Sequence, residues 1–158
     1  MREPQLEKLF RIEADVAAGY PSGPSHQIVS VLGGQILGQG RCADLKGEII
    51  APSGDWLSVT ETGLFMLDVR MSARFGSDIL YITYQGRALM TEAHTAKIAQ
   101  GEALTRDDIS FVGNPIMQSI APSFSWVQNH IFVSTMQELI FATQEKPGRI
   151  IYDVFCVT

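Results

Sequence analysis

Long apolar runs are missing from this chain. No stretch approaches the ~20 consecutive residues that a membrane-spanning helix needs, so a helical membrane protein is excluded. Cysteine is scarce as well: Cys42 and Cys156 are the only two among 158 residues. They lie far apart in no C-x-x-C arrangement and read as reduced, buried thiols. A metal or redox centre would need more thiols or a histidine cluster, and His26, His94 and His130 show no ligand spacing. No metal is expected. Lys and Arg form no run and the net charge is −5, which argues against a nucleic-acid or anionic-membrane surface. A leader is not expected either, because Glu3, Glu7, Glu13 and Asp15 interrupt every apolar run of Met1–Tyr20. The cytoplasm is the expected compartment.

Nucleotide and hydrolase signatures are absent too: there is no P-loop, no H-E-x-x-H and no G-x-S-x-G. Gly33-Gly34, followed by Gly38 and Gly40, is no dinucleotide fingerprint, since no helix opens after it. These glycines read as structural, and no cofactor is expected.

What the chain does have is short apolar strands punctuated by Gly and Pro. Its apolar content of 46% and charged content of 18% are ordinary for a globular protein, and its length suits one domain, residues 1–158. Strands are expected over Gln5–Ala17, His26–Leu32, Ile36-Leu37, Leu45–Ile50, Leu57–Val59, Gly63–Ala73, Ile79–Gln85, Ile109–Val112, Trp126–Ser134 and Arg149–Val157. Gly19–Pro24 reads as a loop, Phe75–Asp78 as a hairpin turn, and Thr91–Gln100 as one surface helix. Thr105 with Asp108 three residues on is cap-like, and Met136–Thr143 fits a helical turn or a strand extension. About nine short strands with Gly-rich connections and one small helix form an all-β, antiparallel barrel or sandwich. Closed as a barrel, it has an interior that side chains fill or a ligand occupies.

Candidate chemistry gathers between Gly33 and Met71. Side chains two apart on a strand share a face, so Asp68, Arg70 and Ser72 lie opposite Leu67, Val69 and Met71. A carboxylate beside a guanidinium is either a solvated pair or a polar patch inside a cavity. In the second case Arg70 holds Asp68 ionised and oriented toward a substrate. Asp55-Trp56 follows Pro52-Ser53-Gly54. It is either a turn Asp with Trp56 as core filler, or an acid/base at a cavity mouth beside an aromatic wall. Trp126, Gln128, His130 and Phe132 alternate on one face of the expected strand, as in a pocket wall, with a satisfied core His as the alternative. Tyr81 and Tyr84 fall on opposite faces, so at most one reaches a shared pocket. His94, on the helix, is expected to face solvent.

Several of these motifs, in order, resemble the domain of unknown function 3237 family, small β-barrel proteins of bacteria and fungi. They are Gly33-Gly34-x-x-x-Gly38, Gly47-x-Ile49-x-x-Pro52-x-Gly54-Asp55-Trp56, Leu67-Asp68-x-Arg70, Phe111, Pro115, Trp126-Val127-Gln128 and Ile151-Tyr152-x-Val154. The resemblance spans nearly the whole chain and implies an antiparallel barrel and a homo-oligomer, expected to be a dimer. The chain is a divergent member: it has Pro52-Ser53-Gly54-Asp55-Trp56 for the usual Gly-Gly-Ala-Asp-Trp, and Trp126-Val127-Gln128 for Trp-Leu-Asn. Fungal relatives beside secondary-metabolite pathways suggest a cofactor-free cyclase or isomerase acting on polyketide- or phenylpropanoid-like compounds.

The expected function is therefore a cofactor-independent isomerase, cyclase or lyase for a small aromatic or polyketide-like substrate, for example by oxa-Michael ring closure. Asp68, with Asp55 as rival, moves the proton, Arg70 steadies a developing enolate or phenolate, and His130 stands by as a further acid/base. Trp56, Tyr81, Trp126 and Gln128 shape the pocket. The alternative is a non-catalytic carrier of the same architecture.

Overall fold

The computed structural model describes residues 3–158; residues 1 and 2, which open the stretch read for a leader, lie outside the described residues. Among the described residues the chain forms eleven strands. They are β1 (Leu6–Val16), β2 (Tyr20–Gly23), β3 (His26–Gly38), β4 (Lys46–Val59), β5 (Leu64–Phe75), β6 (Asp78–Leu89), β7 (Leu104–Thr105), β8 (Val112–Gly113), β9 (Ile116–Gln118), β10 (Ile131–Ile140) and β11 (Gly148–Val157). One α-helix, α1 (Glu92–Ala99), and two 3₁₀ segments, Gly40–Cys42 and Pro122–Asn129, complete it.

Eight strands close a ring in the order β1, β3, β4, β5, β6, β8, β10, β11 and back to β1, every pair antiparallel. The all-β barrel expected from the sequence is present. Closure leaves no long unpaired edge, and the short β2, β7 and β9 pair on β3, β10 and β6.

Strands run longer than their punctuation suggests. His26–Leu32 and Ile36-Leu37 belong to one strand, bent at Gly34, whose φ of +134° favours glycine. A Cβ there would also sit 2.0 Å from the Glu13 carbonyl oxygen. Likewise β4 runs unbroken from Lys46 through Pro52 to Val59, with a register shift between Ile50 and Gly54 against β5. The hairpin at Gly76-Ser77, the strand over 148–157 and the surface helix stand as expected.

Three expectations need correction. Of the strand expected over Ile109–Val112 only Val112 is strand, where it opens β8 (Val112–Gly113). The strand over Trp126–Ser134 begins only at Ile131; Pro122–Asn129 is a 3₁₀ segment started by a proline at its first turn. The loop over Gly19–Pro24 contains β2. The ambiguous Met136–Thr143 continues β10 as far as Ile140.

The two ends of the barrel are built differently. One is filled: Leu9, Phe10, Ile36, Ile49, Ala73, Leu80, Phe132 and Val154 are buried there. The 3₁₀ segment covers that end, with Phe124 against Phe75 at 5.0 Å and Trp126 stacked on Phe10 at 6.4 Å. The other end is hollow.

Candidate functional site

Parity along four strands creates the hollow. Inward positions of β1 (Ala14, Val16), β3 (Val29, Val31), β4 (Asp55, Leu57) and β5 (Phe65, Leu67, Val69, Met71) face a common space, joined by Tyr84, Phe111 and Leu139. The cavity measures about 380 Å³, within the usual range of small-molecule sites. Its rim carries Ala17, Ala18 and Gly19 after β1, and Ile140 at the end of β10 with Phe141 and Ala142 beyond it. No Lys, Arg or His is among the described lining residues.

Asp55 is the one carboxyl group on that wall. It lies in a row of facing residues, Asp55 on β4 opposite Val69 on β5, which is opposite Tyr84 on β6. The irregular stretch of β4 explains how it is held. Where the ladder to β5 slips, side chains take over: Ser53 Oγ accepts from the Ser72 N–H at 3.1 Å, and Asp55 Oδ1 accepts from the Asp68 N–H at 2.9 Å. Asp55 thus accepts a backbone N–H bond and also lines the cavity, from within strand β4 rather than from a turn. Burial pushes its carboxyl up to about 6, although the Asp68 N–H pulls the other way; the Asp68 charge adds to the rise.

Two tyrosines stand beside it. Tyr84 lines the cavity, and Tyr152 meets it edge-on at 5.6 Å and Phe111 at 6.2 Å. On β11, Tyr152 is one inward position below Ile150, a lining residue, and packs against Tyr84 behind the lining itself. Burial raises both phenols above their usual value; the Asp55 charge adds to this for Tyr84, and Tyr84 and then Asp55 for Tyr152. Among the described residues Ser134 Oγ is buried without a hydrogen-bond partner, and the buried Tyr152 hydroxyl has the Tyr84 phenol as its polar neighbour, outside strict hydrogen-bond geometry.

The other expected site residues are elsewhere. Asp68 and Arg70 face outward, with side chains 47% and 55% exposed and 3.5 Å apart. The interior reading of that pair is overturned, because the apolar Leu67, Val69 and Met71 take the inner face. Trp56 also points out, 41% exposed under the Arg70 guanidinium at 5.0 Å, so it is neither aromatic wall nor core filler. Tyr81 is on the outer surface, and Tyr84 is the tyrosine that reaches the pocket. Trp126, Gln128 and His130 share no strand face. Gln128 Nε2 donates to the Ser119 carbonyl at 3.3 Å and His130 Nδ1 meets the Trp126 carbonyl at 2.8 Å, all at the filled end. His94 is not simply solvent-facing: Nδ1 accepts from the Thr91 N–H, so Nε2 donates to the Asp108 carbonyl at 3.0 Å.

The sequence reading chose Tyr81 over Tyr84 for the pocket and gave Tyr152, which packs behind Tyr84, no role. Their signal is parity: each alternates with buried apolar neighbours, Ile82 and Ala88 on β6, Val154 and Cys156 on β11. Among the described residues no group of three or more His, Cys, Asp or Glu could hold a metal ion. No helix there is long and apolar enough to cross a membrane.

Comparison with known proteins adds fold. A family model described as protein of unknown function (DUF3237) matches residues 4–157. A conserved protein of unknown function from Rhodopseudomonas palustris superposes with a TM-score of 0.83 at 19% identity, covering 100% of this chain and 99% of that one. A protein with unknown function from Clostridium acetobutylicum gives 0.80 at 18% identity, covering 100% and 99%. A beta-barrel like protein from Acinetobacter baumannii gives 0.74 at 22% identity, covering 100% and 98%. At these identities the likeness is one of architecture. Nothing among curated proteins matches the chain.

Proposed function

Because the chain belongs to the DUF3237 family of proteins of unknown function, which supplies an architecture and no chemistry, we propose a function from the cavity itself: a cofactor-independent isomerase, cyclase or lyase in which Asp55 moves a proton on a small, largely apolar molecule. The observation that carries this reading is a lone carboxyl group among the described lining residues of a hollow that is otherwise aliphatic and aromatic apart from the Gln27 amide. In such a place an acid is costly to keep, and its use is proton transfer near neutral pH. The carboxylate takes a proton from the substrate, the electron pair moves within the substrate, and the proton returns at another atom. No electrons leave and no co-reactant enters. Ring closure of a phenol onto an enone, or migration of a double bond, meets that balance.

The test is proton exchange in D₂O with a panel of small aromatic and polyketide-like ketones, followed by mass spectrometry. Wild type is expected to introduce deuterium, increasingly as pH rises through about 6, and Asp55→Asn to lose about 10²–10⁴-fold of that rate while still binding. Binding without exchange in the wild type would favour the second reading, a carrier. One observation supports that alternative: no cationic side chain is among the described lining residues to steady a developing anion.

A cytoplasmic homodimer belongs to the same proposal. The free, buried Cys42 and Cys156 suit a reducing compartment. Exposed Ile79, Tyr81, Ile116 and Ile120 lie on or beside the β6–β9 wall, where a second copy would cover them. Sedimentation velocity at micromolar concentration tests the dimer.

A further inference from the structure

Among the described lining residues, Tyr84 alone carries a hydroxyl. The residue is 6% exposed, yet its oxygen is not sealed. Among the described residues the buried side-chain oxygens closed off without a partner are Ser134 Oγ and the Tyr152 hydroxyl; the Tyr84 hydroxyl, with no strict hydrogen bond of its own, is not one of them. It opens on the hollow that Tyr84 lines. Behind it the Tyr152 ring stands edge-on at 5.6 Å, and its hydroxyl has the Tyr84 phenol as polar neighbour. A proton offered from behind leaves the Tyr84 proton for the cavity side. Asp55 lies in the same row of the wall, with Val69 between the two. Strand spacing puts the roots of Asp55 and Tyr84 about 10 Å apart, and both side chains reach inward over Val69. The other neutral side-chain donor on the lining, the Gln27 amide, is exposed at the mouth and lies over Gly19, where a Cβ would meet its Oε1 at 2.7 Å.

We propose that Tyr84 is a catalytic residue: it donates a hydrogen bond to the carbonyl oxygen of an enolisable, largely apolar ketone while Asp55 takes the α-hydrogen. This rests on the proton-transfer reading of Asp55 and adds the group that meets the developing charge. In such a ketone the oxygen and the α-carbon are two bonds apart, so a base and a donor flanking Val69 address both at once. The C–H electron pair moves into the C–C bond and the carbonyl π pair onto oxygen. The proton held by Asp55 then returns to the α-carbon or to the far end of a conjugated system, and nothing is left over. No cation lines the wall to steady the enolate; a neutral phenol in a dry site does so as a hydrogen-bond donor. Burial suppresses ionisation of Tyr84, so it keeps the proton it donates.

The experiment uses 2-tetralone, ¹³C-labelled at the carbonyl, with wild type, Tyr84→Phe and Gln27→Leu. Binding is read by NMR titration, α-hydrogen exchange by loss of the proton signal in D₂O, and the hydrogen bond by the infrared carbonyl band of the bound ketone. Tyr84→Phe is expected to bind the ketone, to exchange it about 10²–10³-fold more slowly and to move the band to higher frequency. Its exchange should still rise with pH through about 6, because Asp55 remains the base. Gln27→Leu is expected to leave band and rate unchanged. Equal bands and equal rates in wild type and Tyr84→Phe overturn the assignment of Tyr84 while leaving proton transfer by Asp55 intact. A band that moves in Tyr84→Phe when wild type itself exchanges nothing refutes a catalytic Tyr84 together with the proton-transfer reading, and makes Tyr84 the oxygen-holder of a carrier. If 2-tetralone does not bind wild type, the ketone assignment falls. Should Tyr84→Phe not fold, the wild-type band decides: a frequency equal to that of the ketone in cyclohexane overturns the proposal, and a lower one that Gln27→Leu retains supports it.

Discussion

Asp55 and Asp68 are thirteen residues apart in the chain and joined by one hydrogen bond, yet they occupy opposite sides of the barrel wall. The inner one titrates unusually. Folding lifts the Asp55 carboxyl from its ordinary 3.8 to about 6, so the folded state binds its proton more tightly than the unfolded chain does. Whatever stability this gives is complete below about 3.8 and is lost as pH rises through about 6. Asp55→Asn keeps an oxygen for the Asp68 N–H and is expected to be more stable than wild type at pH 8, by at most about 3 kcal/mol at ~1.4 kcal/mol per pKa unit. The advantage should vanish at pH 3.5. Urea unfolding across that range measures it; parallel curves with no pH-dependent gap would contradict a desolvated Asp55. The outer pair behaves oppositely. Asp68→Asn and Arg70→Ala alter an exposed ion pair and, for Arg70, an exposed contact with Trp56. Each should change stability by less than about 1 kcal/mol and leave proton exchange intact, which a deuterium-exchange assay of both variants checks. The sequence made the carboxyl and guanidinium on β5 visible, and also the apolar Leu67, Val69 and Met71 opposite them. It did not settle which face looks inward, and the burial of hydrocarbon, the larger free-energy term, decided that.

At the scale of elements, the strands were legible from alternation and the connections less so. β1, β5, β6, β11 and α1 lie close to the ranges read from residue pattern. Departures concentrate where a local signal competes with a tertiary one. Pro52, Ser53 and Gly54 resemble a turn, but β3 and β5 flank the segment and hold it as strand, with Ser53 and Asp55 making good the missed backbone bonds. Conversely, Trp126–Asn129 alternates like a strand but follows Pro122, and its aromatic residues lie across the filled end. Alternation alone does not distinguish these cases. The join of β3 to the first 3₁₀ segment is the tightest such element: a Cβ on Gly38 would lie 1.7 Å from the Cys42 carbonyl oxygen. Backbone cannot yield as a flexible side chain does, so Gly38→Ala should cost more than about 3 kcal/mol. Helix α1 is the mild contrast. Its Thr91 cap accepts the His94 N–H in a reciprocal box, but the helix has no buried residue. Thr91→Ala should cost about 1 kcal/mol or less. Thermal melts of the two variants should differ widely, and a Gly38→Ala protein as stable as Thr91→Ala would refute the close approach.

A ring of strands has a seam where the first and last meet, and here β1 and β11 are joined by more than their ladder. Asp153, on the outer face of β11, has a side chain only 5% exposed, and it accepts Lys8 Nζ at 2.7 Å and Arg11 Nε at 2.8 Å from β1. The register slip between Lys8 and Phe10 makes this geometry possible: it turns Leu9 and Phe10 both into the core and leaves Lys8 and Arg11, three apart, on the same outer side. Burial alone would raise the Asp153 carboxyl, but hydrogen bonds from Arg11 and Lys8 outweigh it and hold the group below its ordinary value. The sign is thus opposite to that of Asp55. Asp153 contributes stability that is present above the unfolded-state value of 3.8 and is lost as pH falls through its lower folded value. Asp153→Asn retains size and removes charge, so it should be less stable than wild type at pH 7 by about 1–3 kcal/mol. The difference should shrink as the solution is acidified below about pH 4. In the same urea series the two variants would then move in opposite directions: Asp55→Asn gains over wild type as pH rises from 4 to 8, and Asp153→Asn loses over the acid limb. Equal urea midpoints for Asp153→Asn and wild type at pH 7 would mean that the seam is held by its backbone ladder alone. The ring would then owe its closure to β1–β11 pairing, with the charge network a passenger on the outer wall.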